Sequence, residues 1–140
     1  MQKRFITIII LTLCLAFLLT ACGNSDQRQV LATVRDFGEY TTAGDAGNLY
    51  LLYHQNVRTL DLKKVLDLQF SLYDLRYDFE ELEMGKIEGG YAYAPFTATM
   101  KKTDDSDFRD MRITGTFVLT KEGDDWKILT IDYETEYLDE

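Results

Sequence analysis

The stretch LTKEGDDWKILTIDY, residues 119–133, holds the clearest local signal in the chain. Lys121-Glu122-Gly123-Asp124-Asp125 is an acidic, glycine-centred turn, and apolar residues alternate on both sides of it. Such a pattern reads as a β-hairpin. In its second arm Trp126, Ile128 and Thr130 face one way, and Lys127, Leu129, Ile131 and Tyr133 face the other. Upstream, Met111, Ile113, Gly115, Phe117 and Leu119 alternate through the first arm. Ala92, Ala94, Phe96, Ala98 and Met100 alternate with Tyr91, Tyr93, Thr97 and Thr99 in the strand before it. Pro95, the single proline, has no N–H to donate and predicts an edge position or a bulge. Residues Leu75 to Ile87 form the first strand region. There the alternation of Tyr77 and Phe79 slips to Leu82 and Met84, which predicts a bulge. Glu88-Gly89-Gly90 is a turn.

Before Leu75 the period is helical. Val30, Val34, Phe37 and Thr41 recur at four-three-four spacing over Asp26 to Ala43, with Leu31 and Tyr40 widening the stripe. Gly44 suits the end of that helix. Asp45 caps a short second helix carrying Leu49, Leu52 and Tyr53. A third begins near Asp61, with Leu62, Val65, Leu66, Gln69 and Tyr73 on one side. Three helices followed by about four antiparallel strands specify an α+β domain with the helices on one face of the sheet.

The N-terminus carries a different message. Lys3 and Arg4 precede a 17-residue apolar run, Phe5 to Ala21, that stops at Cys22. A charged start, an apolar stretch and small residues before a cut are the parts of a signal peptide. Leu19-Thr20-Ala21-Cys22 resembles a bacterial lipobox. The resemblance implies that residues 1–21 are a signal peptide and that Cys22 is acylated with a diacylglyceryl group. It also implies that residues 22–25 are a short tether to a domain over 26–140. Two acyl chains make a stable anchor where one would hold only marginally. The expected location is the extracytoplasmic side of a cell membrane. Cleavage removes Cys14, so no intramolecular disulfide can form. It also removes Lys3 and Arg4, which moves the net charge from −9 to −11. That charge argues against nucleic acid as a partner, because no basic stripe is available for phosphates.

The stretch FGEYTTAGDAGNLYLLY (residues 37–53) and the hairpin at residues 119–133, in this element order, resemble the NTF2-like superfamily. This is the cone-shaped α+β fold of ketosteroid isomerases, scytalone dehydratases and SnoaL-like proteins. The resemblance implies a curved sheet and helices enclosing a cone, whose wide end serves as an apolar pocket or a dimer face. It does not carry catalysis over. Aligned on Ala43-Gly44-Asp45, the isomerase's hydroxyl donor in the first helix falls on Phe37, which has no hydroxyl. The isomerase's base falls on Asp61, where a helix N-cap is expected, and capping needs no catalysis.

Other chemical candidates are few. His54 is the single histidine, and no nucleophile motif surrounds it. Thr103-Asp104-Asp105-Ser106-Asp107 lacks the glycine and glutamate of a calcium loop, so it reads as a solvated hairpin. Neither a metal nor a cofactor is implied, and no catalytic residue is assigned. Phe37, Tyr40, Tyr53, Tyr91, Tyr93, Trp126 and Tyr133 are the candidate pocket or interface residues, since tyrosine offers an apolar ring with a polar tip. The expectation is a lipid-anchored, non-catalytic domain that binds a protein partner, a small apolar ligand or a second copy of itself. The alternative is an enzyme of the isomerase or dehydratase kind.

Overall fold

The computed structural model describes residues 25–138. The apolar N-terminal run, the lipobox with Cys22, and the tether up to residue 24 lie outside the described residues. Helix α1 covers residues 25–43, α2 Ala46–Leu52 and α3 Leu60–Leu72. Strands β1 (Leu75–Leu82), β2 (Ile87–Glu88), β3 (Tyr91–Lys102), β4 (Met111–Glu122) and β5 (Asp125–Tyr137) follow. They form one antiparallel sheet in the order β1-β3-β4-β5, with β2 also paired to β3. The three helices pack on this sheet.

The sheet has five strands rather than four because the first strand region breaks. Glu83 and Gly85 leave the regular ladder but still donate to the carbonyls of Pro95 (3.0 Å) and Tyr93 (2.8 Å). Ile87–Glu88 then rejoins as β2. Pro95 therefore lies in an interior strand, not at an edge. Its missing N–H points to this irregular segment, so the ladder to β4 loses no bond. The predicted bulge in β1 falls between Phe79 and Glu81.

A second bulge corrects the reading of β5. Val118 pairs with Thr130 and Leu119 with Ile128, which leaves Leu129 as an extra residue. An extra residue moves everything beyond it to the opposite face. Trp126 and Ile128 point into the core as expected. Past the bulge the inward residues are Ile131, Tyr133 and Thr135, and Thr130 is exposed. Gly115, opposite Tyr133, permits the close approach of β5 here. A Cβ at Gly115 would stand 2.2 Å from the Asp132 carbonyl oxygen.

Val30 and Val34 of α1, Leu49 of α2, Phe117 and Leu119 of β4, and Ile128 of β5 are the largest fully buried side chains. An aromatic chain runs beside them. Phe37 meets Tyr77 and Phe117 edge-on, Tyr77 meets Phe79, and Phe96 lies 4.6 Å from Phe117 between ring centres. Gly38 brings α1 down onto this layer, since a Cβ there would stand 2.9 Å from the Phe79 ring.

Trp126, 3 % exposed, closes the narrow end. Its indole N–H donates to Asp26 Oδ1 (3.0 Å) and its backbone N–H to Gln29 Oε1 (3.1 Å). Its carbonyl accepts from Thr33 Oγ1 (3.1 Å). The Trp126 indole and then Lys121, 3.0 Å away, hold the Asp26 carboxyl below its ordinary value. The chain after α2 covers the first half of the β5 edge, with the His54 N–H donating to the Ile128 carbonyl at 2.8 Å. Among the described residues no helix is long and apolar enough to cross a membrane.

Candidate functional site

The wide end of the cone holds a cavity of about 490 Å³. Phe37 and Thr41 come from α1, Leu49 from α2, and Tyr53 from the bend after it. Leu62, Val65, Leu66 and Gln69 come from α3. Tyr77, Phe96, Met100, Met111 and Ile113 rise from β1, β3 and β4, while Ile131, Tyr133 and Thr135 come from β5 beyond its bulge. Each strand contributes residues of one parity, as a half-buried face must. The volume lies within the range of small-molecule sites.

Two tyrosines mark the interior, Tyr77 buried and Tyr53 partly buried. Burial, and then the nearby Tyr133, push the Tyr53 phenol up to about 12. The Tyr77 phenol is also raised, first by burial and then by Tyr53. Both are neutral at physiological pH and so are hydrogen-bond donors. The Tyr77 backbone is pinned to α1: its N–H donates to Thr42 Oγ1 at 2.9 Å, and the same hydroxyl reaches its carbonyl at 3.4 Å. Tyr53 is set by its bridge to Ile128 on β5. Thr41, also in the wall, turns its hydroxyl back to the Phe37 carbonyl (2.7 Å). Among the described residues, no Asp, Glu, His, Lys, Arg or Cys side chain lines the cavity.

Of the residues singled out in the sequence, Phe37, Tyr53 and Tyr133 line the cavity. Trp126 does not, because it sits in the core at the opposite end. Tyr40 packs against the core from α1 without reaching the cavity wall. Tyr91 and Tyr93 are on the outer face of β3, where Lys86 Nζ lies 5.3 Å from the Tyr93 ring centre. Asp61 is not the cap of α3. Thr59 is, its hydroxyl accepting from the Leu62 N–H at 3.1 Å, and Asp61 is exposed in the first turn. His54 lies outside the cavity; its Nδ1 accepts from the Asn56 N–H at 3.2 Å within its own turn. The acidic loop uses its carboxylates internally: Asp104 accepts from the Asp74 and Ser106 N–H groups, Asp110 from that of Lys102. Among the described residues no cluster of His, Cys, Asp or Glu is arranged to hold a metal ion. Tyr77, which completes the site, reads in the sequence as an ordinary inward strand residue. The available signal was a polar-tipped ring in an otherwise apolar alternation.

Residues 33–138 match the family described as the C-terminal domain of the anti-sigma-I factor RsgI9. The chain belongs to that family. The matched span runs from the middle of α1 to the end of β5, so this RsgI9 C-terminal domain includes every wall of the cavity. No curated protein matches the chain. Solved structures share its shape. An NTF2-like protein with a cystatin-like fold from Novosphingobium aromaticivorans superposes with a TM-score of 0.64 at 16% identity, covering 89% of this chain and 88% of its own. A proposed scytalone dehydratase from the same organism gives 0.68 at 13% identity, covering 84% and 88%. A cystatin-like protein from Caulobacter vibrioides gives 0.65 at 11% identity, covering 82% and 91%. At these identities the likeness establishes the fold, which is the NTF2-like, cystatin-like cone.

Proposed function

We propose that this RsgI9 C-terminal-type domain is a lipid-anchored extracytoplasmic binding module that takes a small apolar ligand in its cone and does no chemistry on it. The observation that carries this reading is the composition of the cavity wall. It is large enough for a ligand, mostly apolar, and among the described residues it has no carboxylate, imidazole or amine. Acid–base catalysis needs a group whose proton moves near the working pH. The titratable groups in the wall are phenols, and the Tyr53 phenol holds its proton up to about 12. The isomerase or dehydratase alternative would need a base there, and Asp61 stands outside. The family's name concerns an anti-sigma factor, which favours a signalling role for the binding event over a metabolic one.

Anchoring rests on the lipobox. Cys22→Ala is expected to abolish incorporation of a labelled fatty acid and to block signal cleavage. A mutant that matures at the same site and stays membrane-bound would overturn the anchor. Binding is tested by titrating the protein with the neutral dye N-phenyl-1-naphthylamine. One saturable site is expected; its absence would remove the ligand-binding reading. Turnover of a bound ketone or alcohol would replace it with the enzyme.

A further inference from the structure

We propose that the free edge of β5, residues 131–137, takes up an extended segment of a partner protein as one more strand, and that this segment carries Lys or Arg at alternate positions. The two edges of the sheet are treated differently. At the β1 edge, Thr42 of α1 meets the backbone of Tyr77: its hydroxyl accepts the N–H at 2.9 Å and reaches the carbonyl at 3.4 Å. At the β5 edge the chain after α2 covers only the first half. There Tyr53 forms a parallel bridge with Ile128, and the His54 N–H donates to the Ile128 carbonyl at 2.8 Å. This edge therefore already accepts one short strand segment from its own chain. Further along, the Leu138 N–H donates back to the Asp110 carbonyl and continues the β4 ladder. The backbones of Ile131, Tyr133, Thr135 and Tyr137 consequently face away from β4. Among the described residues their outward N–H and C=O groups meet no partner, and residues 132–137 are all exposed.

An open edge is a template for strand addition, and the charge along it selects the occupant. Asp132, Glu134 and Glu136 alternate with the inward residues and so stand on the outer face of the sheet. Among the described residues Asp132 and Glu134 take part in no ion pair, and Glu136 has Arg112 at 4.0 Å. An added strand sets its own alternate side chains directly beside these three. An antiparallel second copy joined through the same edge would put acid beside acid, which is unfavourable. An anionic lipid surface is repelled for the same reason. A strand with Lys or Arg on that face gains the opposite-charge pairs instead. Charge of one sign thus deters self-association and leaves the edge open to a basic partner. The intervening residues of the added strand lie on the side of Tyr133 and Thr135, which border the cavity, and apolar side chains suit them.

The test uses the full chain in phosphatidylcholine nanodiscs and the labelled peptide acetyl-Lys-Ile-Arg-Val-Lys-Val-Gly-amide. Fluorescence anisotropy should show saturable binding, and amide hydrogen exchange should slow at residues 131–137 but not along β1. The same peptide N-methylated at every residue keeps its charge and cannot donate to a strand. It should bind more weakly by roughly tenfold. A peptide with Glu in place of each Lys and Arg should not bind. The double variant Asp132→Lys, Glu134→Lys should weaken the basic peptide by roughly fivefold and admit the acidic one, at an unchanged melting temperature. Equal binding of the methylated and unmethylated peptides would reduce the site to diffuse charge attraction and overturn strand addition. Absence of binding, or exchange that slows elsewhere and not at residues 131–137, would overturn it too. Exchange at residues 131–137 that slows with protein concentration alone would give the edge to a second copy in place of a basic partner.

Discussion

At the hairpin end of the cone, Trp126 makes three hydrogen bonds to α1 and stands 3 % exposed. At the other end, between α3 and the tail of β5, Leu68, Leu72 and Tyr133 are each more than half exposed. The same sheet runs through both ends. At the first end its inward side chains meet α1 directly. At the second, the Leu129 bulge turns Ile131, Tyr133 and Thr135 inward around a space that no side chain fills. Order concentrated at one end leaves the other free to stay open, which is how binding regions are drawn from the less stable parts of a fold.

That contrast makes graded predictions. Trp126→Ala should lower stability most, by roughly 3–5 kcal/mol, because a large core ring and its bonds to α1 go together. An unchanged denaturant midpoint would place the strength of the fold elsewhere. Next comes Gly115→Val, at the boundary between the two ends. The new side chain meets the backbone of Asp132 and Tyr133, and the strain should be about 1–3 kcal/mol, read from the same midpoint. Thr59→Ala should cost about 1 kcal/mol through the lost cap of α3, whereas Asp61→Asn should stay within about 0.5 kcal/mol. If the two effects exchange places, the cap has been misassigned. Leu68→Ser and Leu72→Ser, both at the open end, should also stay within about 0.5 kcal/mol.

Alkaline pH separates the ends by another route. The folded Tyr53 phenol is raised from 10.0 to about 12, so above pH 10 the unfolded chain releases a proton that the folded chain keeps. Stability from this group is fully present below pH 10 and is lost as pH rises from there toward about 12. Tyr77, raised by burial, acts in the same direction. A stability profile from pH 8 to 11.5 should therefore fall beyond pH 10, and less steeply in Tyr53→Phe.

Much of the architecture was legible because it rests on periods. The change from helical spacing to alternation near Asp74, the slip after Phe79 and the turn at Gly123 each have a local cause in residue type. Gly123, at φ 63, supplies the positive φ that the tight hairpin needs. The Leu129 bulge had no such mark, and it alone decides that Ile131 joins the interior. Trp126 was read correctly as apolar and inward, but alternation says nothing about position along the cone, so it was grouped with the pocket. Tyr91 and Tyr93 were excludable, since they alternate with the small, buried Ala92 and Ala94 that face the core. Thr59 and Asp61 are both good caps two residues apart, and only the backbone chose between them. Tyr77 was hidden by its ring, which satisfies a core position whether or not its hydroxyl meets a cavity.

The central claim is that the open end is a binding cavity separate from the structure that stabilises the fold. Met111→Trp, on the inner face of β4, places a large ring into the space without touching the Trp126 end. Binding of N-phenyl-1-naphthylamine to this variant and to wild type, with thermal unfolding measured on the same samples, tests the claim directly. Wild type should bind the dye saturably at 1:1, and Met111→Trp should lose that binding with a melting temperature that is unchanged or higher. Dye binding that survives the filled cavity, or a variant that unfolds along with its loss of binding, would contradict it.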